Sequence, residues 1–170
     1  MKTAVIYSSR TGNTEKVARA IHEALPAENQ IYKVEEAPPP AEFDFLALGF
    51  WVDRGLPGGK MEEYISGVKN KKVGIFFTLG AYPDSDHARD CLDRAKSLLG
   101  DDCEVLTTFR CQGKIDLSLT QKFENLPDDH IHAMTPERRK RHKIAARHPN
   151  EEDLHKAKEK FKRLDFSPGL

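Results

Sequence analysis

Apolar runs of strand length alternate with helix-spaced apolar patterns through the first 113 residues of this 170-residue chain, and that alternation leaves few folds open. Thr3–Tyr7, Phe45–Phe50, Val73–Thr78 and Glu104–Phe109 are apolar runs, and Gln30–Val34 is a weaker one, so five strands are predicted. Between them Val17, Ala18, Ile21 and Leu25 recur at helical spacing within Glu15–Leu25, and Met61–Val68 and Ala88–Leu99 repeat the pattern. Strands separated by helices pair in parallel, because each connection must cross back over the sheet, and the helices then cover both faces. The expected fold class is α/β, a doubly wound five-stranded parallel sheet. Pro38-Pro39-Pro40 reads as a stiff surface connection, and Leu56-Pro57-Gly58-Gly59 as a loop before the next helix.

Beyond the fifth strand the pattern changes. Ile115–Asn125 reads as a short helix or an extended excursion, and His130–Pro149 is polar and basic. Asn150 followed by Glu151, Glu152 and Asp153 is a helix start, and the stripe Leu154, Ala157, Phe161, Leu164 predicts a last helix over Glu151–Leu164 that packs on the sheet. The length fits one domain over 1–170, with a core of about 1–113 completed by the helix at about 151–164 and a basic excursion over about 114–149. A zero net charge hides an asymmetry: Met134–Leu164 holds eleven Lys and Arg against five Asp and Glu, whereas Met1–Ala133 holds sixteen against twenty-one. Interspersed acids and few aromatics read as a solvated helix face, so nucleic acid is not an expected partner. No apolar run approaches the ~20 residues of a membrane span, and the chain starts directly on a strand, so membrane insertion is not expected and a cytoplasmic location is. Cys91, Cys103 and Cys111 lack metal or thiol-exchange spacing and read as reduced thiols.

The first strand runs into Ser8-Ser9-Arg10-Thr11-Gly12-Asn13-Thr14 and then into a helix. Hydroxyls from Ser9, Thr11 and Thr14, with N–H groups at a helix N-terminus opened by Gly12, are suited to surround a phosphate without a lysine. The triphosphate loop needs a glycine-rich stretch ending in Lys-Ser/Thr, and the dinucleotide fingerprint needs three spaced glycines; neither is present. A monophosphate ester fits better. A plain strand-to-helix turn capped by Thr11 or Asn13 would explain part of the same pattern.

Ser9-x-Thr11-Gly12-x-Thr14 after the first strand resembles the phosphate loop of flavodoxins, which bind flavin mononucleotide (FMN), and the resemblance extends over roughly Met1 to Gly113. It implies strand order 2-1-3-4-5, redox chemistry, and a ligand outside the carboxyl ends of strands one and three. Two further loops then matter: Gly49-Phe50-Trp51-Val52-Asp53-Arg54-Gly55-Leu56-Pro57-Gly58-Gly59 after strand three, and Thr78-Leu79-Gly80-Ala81-Tyr82-Pro83-Asp84 after strand four, with Asp86 flanking the same end of the sheet. Trp51 and Tyr82 are the candidates to sandwich the flavin ring, with Phe50 pointing inward. The implied cofactor-binding set is Ser9, Arg10, Thr11, Gly12, Asn13, Thr14, Phe50, Trp51, Val52, Gly55, Thr78, Leu79, Gly80, Ala81, Tyr82 and Asp86. In flavodoxins a peptide of the second loop answers the redox state of flavin N5; Gly55, Gly58 and Gly59 all have the conformational freedom for that, and each reads equally as a plain turn. Flavodoxins are typically more acidic around the flavin than this chain, whose Arg10 and Arg54 pair with neighbouring acids, bind an anion, or are solvated.

A phosphoacceptor receiver shares this architecture, and Thr78 and Lys114 echo it, but strand ends Tyr7-Ser8-Ser9 and Gly49-Phe50 lack its acids. Cys111 at the end of strand five reads as packing, and His130, His132, His142 and His148 as exposed histidines rather than metal ligands. The expected function is a monomeric electron carrier between a reductase and an acceptor enzyme. The alternatives are an FMN-dependent NAD(P)H reductase of quinones or other conjugated substrates, and a non-redox binding module using the basic stretch. Gly80–His87 with Cys111–Lys114 is also similar to the flavodoxin-like proteins that accompany bacterial bilirubin reductases.

Overall fold

A computed structural model of the chain describes residues 1–26 and 28–166. In chain order the elements are β1 (Thr3–Tyr7), α1 (Asn13–Ala24), β2 (Asn29–Lys33), β3 (Phe45–Asp53), β4 (Leu56–Pro57), α2 (Met61–Ser66), β5 (Lys72–Leu79), α3 (Asp86–Leu98), β6 (Glu104–Gln112), α4 (Leu117–Glu124), α5 (Pro136–Ala145) and α6 (Glu151–Lys162). The five long strands are parallel and lie in the order β2-β1-β3-β5-β6, which is the expected 2-1-3-4-5 arrangement. β4 adds a short antiparallel pairing to the end of β3, where sequence reading expects only a loop. The cause is local: Arg54 and Gly55 join the two segments with φ of 51° and 80°, the positive values a two-residue hairpin of this twist requires at both positions.

Register carries the strands to a common end. Tyr7 lies beside Gly49, Gly49 beside Phe76, Trp51 beside Thr78, and Thr78 beside Cys111. On one face of the sheet α1 and α6 bury Val17, Ile21, Ala157 and Phe161 against Val5, Phe45 and Phe76. On the other, α2 and α3 bury Met61, Ile65, Ala88 and Cys91 against Ile6, Leu48, Ile75 and Phe77. Phe161 meets Phe76 edge-on with ring centroids 6.1 Å apart, and it lies so close over Gly74 that a Cβ there would come within 2.5 Å of its ring. The last helix therefore seats on the sheet, started by a capping box in which Asn150 and Asp153 satisfy one another's backbone N–H groups.

The stretch 114–149 is more ordered than its composition suggests. Pro136–Ala145 is a helix although five of its ten residues are Lys or Arg and it has almost no apolar stripe. Thr135 caps it by accepting from the Arg138 N–H at 3.2 Å, and Pro136 opens its first turn. Side-chain contacts hold it to α4: Arg139 Nε and Nη2 donate to Glu124 at 3.0 and 2.8 Å, and Thr120 Oγ1 lies 2.9 Å from His142 Nδ1. Among the described residues no helix is long and apolar enough to cross a membrane.

Candidate functional site

The C-terminal ends of β1, β3 and β5 open on a cleft of about 530 Å³, within the size range of small-molecule sites. Its first wall is the turn between β1 and α1, from which Arg10, Thr11 and Asn13 line the space. Neither Thr11 nor Asn13 caps the helix, contrary to the plain-turn expectation. The cap position is Gly12, left-handed at φ 95°, and it makes no side-chain cap bond. Ser9 takes over that work from upstream, its Oγ accepting from the N–H groups of Gly12 at 3.1 Å and Glu15 at 3.2 Å. Thr14 faces the core, its hydroxyl 2.8 Å from that of Thr78. Asn13 Nδ2 donates to the Lys114 carbonyl at 3.0 Å, tying the turn to the far side of the cleft.

The second wall is the β3 end. Trp51 and Val52 line the cleft, with Asp53 and Arg54 beyond them. One face of the Trp51 ring rests on Gly58, where a side chain would run into the indole, and the Gly58 N–H donates to the Trp51 carbonyl at 2.8 Å. The Arg10 guanidinium lies over the ring, 5.7 Å from its centroid. Gly55 forms the hairpin apex outside the cleft lining, and its carbonyl accepts from Arg94 of α3 at 3.4 Å. The third wall is Thr78, Leu79, Gly80 and Ala81. Tyr82 is 38% exposed and lies outside the lining. Asp86 opens α3, exposed and paired with Arg89, and Phe50 is fully buried against Phe77 with rings stacked 5.1 Å apart. Nine of the sixteen expected residues thus share the cleft; Ser9, Gly12 and Thr14 belong to the turn, whereas Phe50, Gly55, Tyr82 and Asp86 sit outside it.

A fourth wall comes from the excursion, and sequence reading missed it. Ile115, Leu119 and Phe123 present an apolar strip, and Ile115 packs so closely on Gly80 that a Cβ there would lie 2.8 Å from it. The spacing of four between these residues is the one signal that was available. Arg141 and His142 of α5 and His87 of α3 complete the lining. His142 is 8% exposed, not the exposed histidine its basic surroundings suggest, because α5 packs it onto Thr120 and the edge of Phe123. Burial, reinforced by the adjacent Arg141, pushes its pKa below the ordinary histidine value. Arg141 Nε is buried with no hydrogen-bond partner among the described residues, an orphaned donor beside an open cleft. Cys111 is 2% exposed and burial pushes its thiol far up, which suits packing rather than thiolate chemistry.

Comparison with known proteins bears on the family and the fold. The flavodoxin-like domain-containing protein BilS of Clostridioides difficile (strain CD3) is 31% identical over 166 residues, 92% of each chain. Among solved structures, a flavodoxin from the domain Archaea superposes with a TM-score of 0.59 at 15% identity, covering 95% of this chain and 94% of its own. Two-electron reduced Megasphaera elsdenii flavodoxin superposes with a TM-score of 0.52 at 21% identity, covering 85% of this chain and 98% of its own. These two likenesses concern the fold. The family model for the flavodoxin domain matches residues 4–162, from the first strand through the excursion to the end of the last helix, and the chain belongs to the flavodoxin domain family.

Proposed function

We propose that this protein binds FMN non-covalently in the cleft and carries electrons between a reductase and an acceptor enzyme. The observation that carries the reading is the meeting of a hydroxyl-rich helix-start turn and an indole ring in one cleft at the carboxyl ends of β1, β3 and β5. The residues fit the group. Thr11, Asn13 and the open first turn of α1 suit the phosphate; the Trp51 face, now under Arg10, suits a planar ring; the Thr78–Ala81 backbone suits its polar edge; and the orphaned Arg141 donor lacks the acceptor a ligand would bring. Bound flavin supplies one- and two-electron chemistry that side chains cannot. The chain's own part is to hold, orient and shield: Ser9 fixes the turn, Gly58 backs Trp51, and Ile115, Leu119 and Phe123 exclude water from the far wall. No side chain need act as an acid or base catalyst.

One observation favours a second reading, an FMN-dependent NAD(P)H reductase of quinones or other conjugated substrates: the excursion gives the cleft a fourth wall with its own apolar strip and cations. A single experiment separates the two. FMN-loaded protein is mixed with NADPH and a soluble quinone, with and without a flavodoxin reductase. The carrier reading expects NADPH oxidation only when the reductase is present; oxidation by the loaded protein alone refutes it in favour of the enzyme. The Gly80–His87 and Cys111–Lys114 resemblance makes a bilirubin reductase the first acceptor to assay.

A further inference from the structure

The cations of the cleft differ in their solvation. Arg10, Arg54 and Lys114 are exposed, so water and salt screen them. Arg141 is half-buried, and its Nε is sealed from solvent without a hydrogen-bond partner among the described residues. Native chains seldom keep such a donor unless a ligand, ion or water meets it. The side chain is also delivered by a braced element, because its helix is fixed by Arg139 on Glu124 and by His142 on Thr120, on either side of residue 141. The acid on the same wall, Asp116, is engaged by the Ser118 hydroxyl at 2.8 Å and the Ser118 N–H at 2.9 Å rather than by Arg141.

We infer that Arg141 is the electrostatic partner of the bound flavin, raising its reduction potential by holding the charge that reduction adds. The inference rests on the FMN reading above. Two electrons with one proton, supplied by the reductase, leave the ring one unit more negative, and transfer to the acceptor enzyme returns both electrons and releases the proton. A guanidinium within a partly desolvated cleft interacts with that added charge more strongly than the screened cations do. His142 adds no second full charge near neutral pH, since burial and Arg141 itself keep it largely unprotonated. Arg141 thus gives one cation of the basic helix α5 a place in the cleft beside the phosphate turn and the aromatic loops.

The test is the midpoint potential of the FMN-loaded protein, measured by dye equilibration at constant ionic strength, together with the oxidised-flavin dissociation constant by fluorescence. Arg141→Met keeps the length and removes the charge; Arg141→Lys keeps the charge; Lys143→Met, on the exposed side of the same helix, is the control. The expected result for Arg141→Met is at least a tenfold loss of preference for reduced over oxidised flavin, a fall of about 30 mV for a two-electron couple. Arg141→Lys should retain most of the wild-type potential and Lys143→Met all of it. A potential unchanged in Arg141→Met, or lowered equally in Lys143→Met, overturns the inference. If Arg141→Met does not fold by circular dichroism, Arg141→Gln against Arg141→Lys decides by the same criterion. Failure of the wild-type protein to bind FMN refutes the function reading instead, and is seen before any variant is made.

Discussion

Replacing Thr14 by valine isolates the contact that ties the candidate phosphate turn to the sheet. The hydroxyls of Thr14 and Thr78 lie 2.8 Å apart, and the two residues are only 1% and 3% exposed. A hydrogen bond of this kind contributes about 1 kcal/mol net, whereas stranding one buried hydroxyl costs about 1–3 kcal/mol. Thr14→Val removes the bond and strands Thr78, so a loss of about 1–3 kcal/mol is expected, or about 2–12 °C in Tm for a chain of this length. Thr78→Val should cost about as much by the mirror-image argument. The double variant replaces both hydroxyls by methyls of similar shape and strands nothing, so it should be less destabilised than either single variant. Urea unfolding of the flavin-free protein, followed by circular dichroism, reads all four proteins in one cycle. Single variants within about 0.5 kcal/mol of wild type, or strict additivity in the double, would refute the buried pair and with it the account of how the turn is anchored.

Phe161→Ala should cost about 3–5 kcal/mol, because the ring is 1% exposed and fills the space over Gly74 against Phe76; a loss below about 1 kcal/mol by the same urea assay would mean that α6 is not part of the core. Trp51→Ala should weaken FMN binding by about 2- to 12-fold from lost stacking alone, read by flavin fluorescence titration, with an unchanged dissociation constant as the contrary result. His142 titrates below the ordinary histidine value in the folded chain, so the unfolded chain binds its proton first as pH falls. Stability should therefore decline as pH drops through about 6.5, and His142→Gln should flatten that part of the urea-midpoint profile; an identical profile would show that the residue is not held neutral.

The parallel sheet was legible because its strands are nearly continuous apolar runs, a pattern buried on both faces that little else produces. α6 was legible because Asn150 and the Leu154–Phe161 stripe state both its start and its buried face. β4 was not, because its two residues carry no periodicity and depend on Arg54 accepting a positive φ, which its side chain does not advertise. α5 was missed for a related reason: its stability comes from a cap and from contacts to Glu124 and Thr120, which are distant information, while its own composition reads as solvated surface. The same gap hid the fourth wall of the cleft. Turn chemistry around Ser9–Thr14 was visible as a set of hydroxyls, but not its division of labour, in which Ser9 braces the helix start and Thr14 turns inward. The resemblance puts a stacking ring at Tyr82, but the side chain is 38% exposed and Phe123 lines the cleft from another element.

The most direct measurement is the visible spectrum of the protein after incubation with FMN and removal of the excess by gel filtration. The account predicts retained absorbance near ~450 nm at close to one flavin per chain, the signature of an oxidised flavin cofactor. A colourless protein that also fails to quench the fluorescence of added FMN would contradict it.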